Sequence, residues 1–98
     1  MLYAVFFEDN PAADPNLRKN HMPAHLAFLA RHAVTVRAAG PLLACADEPP
    51  GGLWLVEAED ADEVTALIKD DPFWPTGLRA SWRIFQWQRV FADGKALI

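Results

Sequence analysis

The chain opens on Met1–Phe7 (MLYAVFF), an unbroken apolar run of strand-forming residues. Such a run predicts a strand covered on both faces. The segment EDNPAADPN that follows holds two prolines, two asparagines and three acids, and reads as a loop. From Leu17 to Ala33, Met22, Leu26, Leu29 and Ala33 recur at three- and four-residue steps, the period of a helix with one buried stripe, and Asn16 stands at its N-cap. Pro23 lacks an amide donor, so the main helix is expected to begin there, with Leu17–Asn20 as a short turn before it. Val34–Ala39 carries β-branched residues and leads through Gly40-Pro41 into LLACA, read as continuing extended. The acidic, proline-rich DEPPGG is a loop, and Gly51–Glu57 alternates Leu53 and Leu55 against Trp54 and Val56 as a strand. Asp60 is placed to cap a helix over ADEVTALIKD, whose Ala61, Val64, Leu67 and Ile68 share one face. Asp71-Pro72 ends that helix, because the residue before a proline is pushed out of helical geometry. FWPTG reads as a turn, Ser81–Phe91 as the last long strand and ADGKALI as a tail.

The order β-α-β-β-α-β predicts one α+β domain over residues 1–98: a ferredoxin-like sandwich with two helices on one face of a four-stranded antiparallel sheet. The other face must then be wet or covered. Along the last strand, Trp82, Ile84 and Val90 fall on one side and Phe85, Trp87 and Phe91 on the other, so neither side is polar throughout. A solvent-washed face alternates cleanly, so both faces are expected to be largely covered. The second cover is most simply another copy of the chain in a two-fold homodimer. The alternative is a monomer with an exposed aromatic patch.

Composition narrows the partners. Of 98 residues, 52% are hydrophobic, eleven are aromatic and four are tryptophan, a heavy load for a core this small. The net charge of −4 argues against an electrostatic grip on nucleic acid or an anionic membrane. No window approaches a membrane span and no basic-then-apolar leader opens the chain, so a cytoplasmic protein is expected. The single cysteine, Cys45, forms no internal disulfide and excludes a multi-cysteine metal site; in its apolar LLACA setting it reads as buried and inert.

Candidate chemistry starts with the histidines, His21, His25 and His32, which steps of four and seven bring near one side of a continuous helix. His25 borders the apolar stripe, where a partly desolvated imidazole in a cleft suits proton transfer; the plainer reading is a histidine that bonds a carbonyl and only packs. His21 and His25 also have the spacing of two zinc ligands on one helix, with Asp14, Asp70 or Asp71 as a third. The glutamate of H-E-x-x-H is missing and Pro23 disturbs the intervening turn, so no metal is assigned. Asp71 either ends its helix by local hydrogen bonds or reaches His25, fixing its tautomer and raising its basicity. Arg18 with Lys19, and Arg79 with Arg83, are placed to meet an anionic substrate, though isolated charges of this kind are usually only solvated. No glycine spacing of a phosphate cradle occurs.

Taken in order, MLYAVFFED, MPAHLAFL, AAGPLL and DPFWPTGL before a strand ending in RVF resemble the YciI-like (YCII-related) proteins, from Met1 to about Phe91. The resemblance implies a ferredoxin-like dimer, related in shape to the dimeric α/β barrel proteins, with a cleft holding a histidine–aspartate pair. That pair corresponds to His25 and Asp71. Family precedents, including an enzyme acting on a chlorinated hydroxyquinol, point to elimination or isomerisation on small oxygenated rings. Many members carry an arginine three residues before the helix histidine; here that position is Met22, with Arg18 one turn earlier.

The expected function is therefore that of a small cofactor-independent enzyme of the lyase or isomerase type. His25 moves a proton on a small aromatic or lactone-like metabolite and Asp71 orients it. Phe73 and Trp74 wall the cleft, Gly40 permits close backbone approach, and Arg18 meets substrate. The competing expectation is a non-catalytic dimeric module that holds a metabolite or a partner segment in the same cleft.

Overall fold

Strand β1 (Leu2–Asp9) runs up the middle of a four-stranded sheet, with β3 (Gly51–Glu57) on one side and β4 (Arg79–Gln86) on the other. Strand β2 (Val36–Leu42) lies outside β3, giving the order β2-β3-β1-β4 with every neighbouring pair antiparallel. Helices α1 (Leu17–Arg31) and α2 (Ala61–Asp70) fill the two crossovers, so the fold is the expected ferredoxin-like α+β arrangement. The computed structural model describes residues 1–98.

The core follows from strand alternation. Tyr3, Val5 and Phe7 of β1 stand opposite Val56, Trp54 and Gly52 of β3, so large side chains from both strands share one face. Phe28 of α1 and Val64, Leu67 and Ile68 of α2 close over them. At about 25 cal/mol per Å², burying each of these apolar side chains stabilises the fold by roughly 1.5–3 kcal/mol. Glycine is required at Gly51, where a Cβ would sit 2.0 Å from the carbonyl oxygen of Phe7.

The α2 cap is as the sequence predicts: the Asp60 side chain accepts the Glu63 amide at 2.9 Å, while Glu63 accepts the amide of Glu59. At α1 the structure departs from expectation. The helix is continuous from Leu17 to Arg31 with Pro23 inside it, because Pro23 is exposed and the missing hydrogen bond falls on the solvent side. Asn16 makes no side-chain cap; Asp14 instead accepts the Asn16 amide at 2.8 Å. The buried positions are His25 and Phe28, whereas Leu26 is 56% exposed and Ala33 is exposed.

Two other extents change. Strand β2 ends at Leu42, so of the LLACA segment only its first residue is strand, and Cys45 is exposed rather than buried. The last strand stops at Gln86; the chain then forms a separate hairpin of β5 (Phe91–Ala92) and β6 (Lys95–Ala96). Its turn is Asp93-Gly94, both at positive φ (55° and 77°), a pairing the Asp-Gly dipeptide favours and the reading of this segment as a tail overlooked. No helix is long and apolar enough to cross a membrane.

Candidate active site

One carboxylate organises the site. Asp71 is the residue that caps α2, and its extended backbone (φ −66°, ψ 134°) follows from the proline after it. Its Oδ1 accepts the amide of Phe73 at 3.0 Å, the local turn an aspartate makes two residues ahead of itself. The same oxygen lies 2.9 Å from Nδ1 of His25 on α1. Oδ2 lies 2.8 Å from Nη1 of Arg79 at the head of β4. Close enough for an ion pair, that last contact is poorly aligned as a hydrogen bond, and both atoms are buried.

Burial pushes the Asp71 carboxyl up, but the hydrogen bond with His25, the Phe73 amide and the charge of Arg79 outweigh it and hold the group below the ordinary carboxylate range. An ionised carboxylate only accepts, so Nδ1 of His25 donates to it. In the neutral ring this leaves Nε2 as the nitrogen with a free lone pair. The ring is held in place by aromatic neighbours, with Phe73 at 4.5 Å between centroids and Trp54 at 6.4 Å, nearly parallel.

A cavity of about 170 Å³ opens beside the pair. His25, Arg18, Arg79, Phe7, Trp54 and Phe73 contribute to its wall, and the edge strand β2 adds Gly40. Its size is close to that of the engineered cavity of about 150 Å³ that accommodates benzene. Arg18 is held by a two-pronged pairing with Asp9, at 3.0 and 3.2 Å.

The structure thus joins His25 to Asp71 and brings Arg18, Gly40 and Phe73 to the same cavity. Trp74 is not part of that wall: it starts a 3₁₀ turn (Trp74–Thr76) that carries its ring outward, edge-on against Trp82 at 5.0 Å. No three His, Cys, Asp or Glu side chains converge around His21 and His25, or anywhere else in the chain, as metal ligands would.

Arg79 is where sequence reasoning fell short. Paired with Arg83 it looks like an exposed charge, yet its side chain is only 6% exposed. Strand alternation would place Arg79 on the helix-free face with Arg83 and Phe85. A β-bulge intervenes: Glu8 pairs with Ser81 but Asp9 pairs with Arg79, so Ala80 is an extra residue in the ladder. The bulge turns Arg79 onto the helix face, with its guanidinium 4.0 Å above the Phe7 ring. The signal open to a sequence reader is the distance from Arg79 to the Asp-Pro-Phe turn, and it is weak.

The geometry can be set beside known proteins. A family model described as the YCII-related domain matches residues 1–88. The chain belongs to the YCII-related family. All of the elements that build the cavity lie within the YCII match, and only the C-terminal hairpin lies outside it. Among solved structures, this YCII-related chain is similar to 5-chloro-2-hydroxyhydroquinone dehydrochlorinase from Burkholderia phenoliruptrix AC1100 in complex with 2,5-dihydroxybenzoquinone, with a TM-score of 0.74 and 29% identity over 90% of this chain and 94% of that one. No curated protein sequence matches.

Proposed function

We propose that the protein is a cofactor-independent acid–base enzyme of the lyase or isomerase type, acting on a small oxygenated ring. The observation that carries this reading is the buried His25–Asp71 contact at 2.9 Å beside a cavity large enough for one ring. His25 takes a proton through Nε2 from a ring hydroxyl or an activated carbon. The electron pair left behind rearranges within the ring. The proton then returns to a different carbon, giving an isomer, or a leaving group departs with its own electron pair, giving elimination. Asp71 keeps Nδ1 protonated and stabilises the imidazolium while it exists. Phe73 and Trp54 exclude water, Gly40 offers edge-strand backbone, and Arg18 exchanges Asp9 for substrate.

The likeness to a dehydrochlorinase that was solved with a dihydroxybenzoquinone supports a hydroxylated ring and a halide leaving group. The functional unit in this reading is a homodimer built on the helix-free sheet face.

Chlorinated hydroxyhydroquinones are the first substrates to test, followed by hydroxylated and lactone rings of similar size, with chloride release and ultraviolet spectra as readouts. His25→Ala is expected to lower turnover by about 10²–10⁴-fold and Asp71→Asn to lower it in the same direction. Turnover that survives His25→Ala sinks the proposal. Saturable binding without turnover by the wild-type protein across the panel overturns it in favour of a metabolite-binding module.

A further inference from the structure

The Asp71 carboxylate binds two groups at once, and only one of them is absorbed by the acid–base reading. His25 occupies Oδ1 and Arg79 sits at Oδ2, so a single carboxylate sets the base and a cation side by side, and both line the cavity. Arg79 is an unusual group to find there. Its side chain is almost fully buried, and its guanidinium packs over Phe7 at 4.0 Å, with Trp54 and Phe73 at 5.1 and 5.6 Å. Aromatic faces attract a cation but accept few of its protons. A guanidinium has five N–H donors in a planar fork. Its one carboxylate neighbour, Asp71, meets only Nη1, at 2.8 Å, which leaves the other donors of the fork without a side-chain partner. Donors in so buried a side chain normally have partners, and Arg79 lines the cavity, so an oxygen bound there can supply one.

We propose that Arg79 is the oxyanion site of this cavity, and that the substrate class is a planar ring carrying an acidic oxygen, held as its enolate or phenolate. This rests on the acid–base reading of His25. When the ring hydroxyl gives its proton to His25 Nε2, the O–H bond breaks, the N–H bond forms, and the electron pair stays on oxygen. The charges that result are an imidazolium facing Asp71 and an oxyanion facing Arg79, so each new charge meets an opposite one already in place. Such fixed groups in a low-dielectric pocket stabilise developing charge without having to reorganise. The Ala80 bulge is the device that makes this arrangement: without the extra residue, alternation would aim Arg79 to the other side of the sheet.

The test uses binding, so it stands apart from turnover. The probes are 4-nitrophenol, at a pH where it is free as phenolate, and nitrobenzene, which has the same ring without the oxyanion. Wild-type protein is expected to bind the phenolate about ten- to a hundredfold more tightly than nitrobenzene, the range of a hydrogen bond to a charged group. Arg79→Met should abolish that preference. Because it leaves Asp71 buried without its cation, the charge-neutral pair Arg79→Met with Asp71→Asn is measured beside it and should also show none. Arg79→Lys should retain part of the preference, since it keeps the charge but loses the fork. His25→Ala should keep the preference while losing any turnover, which separates this assignment from the base assignment. Equal affinity for the two probes in wild-type protein overturns the proposal. So does a preference that persists when Arg79 and Asp71 are both neutralised, or one that disappears with His25 alone.

Discussion

At the scale of single residues, Asp71 concentrates the most consequences in the fewest atoms. Its carboxyl is held below the ordinary range in the folded protein, so it binds fewer protons folded than unfolded. Its contribution to stability is therefore complete above the unfolded value of about 3.9 and is lost as pH falls through the lower folded value. Urea unfolding of wild-type protein from neutral pH down into the acid range should show this loss beginning near pH 4, and Asp71→Asn should flatten that part of the profile. At neutral pH the same variant should cost about 3–5 kcal/mol, because it leaves Arg79 buried without a counter-charge. A variant whose acid limb parallels that of the wild type would mean that other carboxylates set the acid sensitivity. The pair itself was half legible in sequence. The position of His25 at the border of an apolar stripe and the helix-ending Asp-Pro step each nominate one partner, but nothing in a linear pattern measures the gap between them. Leu26 shows the limit from the other side: it fits the periodic stripe and is nevertheless 56% exposed, because the helix turns it to the open cavity and not to the sheet.

At the scale of elements, local signals succeeded wherever local chemistry decides the outcome. The capped helix α2 and the alternating strand β3 have the boundaries that Asp60, Asp71-Pro72 and the Gly51–Glu57 pattern imply. They failed where tertiary packing overrides a local preference. The bulge in β4 exists only in relation to β1, so no reading of β4 by itself assigns Arg79 to the helix face. Pro23 shows the same lesson in a helix: packing of His25 and Phe28 carries α1 straight through a residue that ought to interrupt it. The helix bears that cost on its exposed side, which makes it removable. Pro23→Ala should therefore raise stability by about 2 kcal/mol, the interior penalty of proline less the entropy it removes from the unfolded chain. The readout is the urea midpoint at unchanged slope. A midpoint that falls would show that Pro23 holds the helix in a bend the site depends on.

At the scale of the whole molecule, the chain is looser than its length requires. Only 18 of 98 residues are buried, and the radius of gyration is 14.2 Å. A compact domain of this length is expected near 12.6 Å, on the order of 2.2·N^0.38. Part of the excess comes from the C-terminal hairpin, whose Phe91, Leu97 and Ile98 are largely exposed. The more telling surface is the helix-free face of the sheet. Ala4 and Phe6 of β1, Leu53 and Leu55 of β3, and Phe85 of β4 stand together there by strand register, with Trp87 beyond the end of β4. Phe6 and Phe85 pack edge-to-face at 6.0 Å, and both are open to solvent in the single chain. This face is mostly apolar, with Arg83 opposite Phe6, and suits an isologous contact in which the same strands meet their own copies. Sedimentation equilibrium at micromolar concentration should then give twice the 10.9 kDa chain mass. Phe85→Glu should shift the protein to monomer, since two like charges would face a desolvated centre. The cavity lies on the opposite, helix-covered face, so the Phe85→Glu monomer should keep its preference for 4-nitrophenolate if the site is complete in one chain. A wild-type protein that sediments at the single-chain mass would remove the dimer and leave the aromatic excess as an exposed patch.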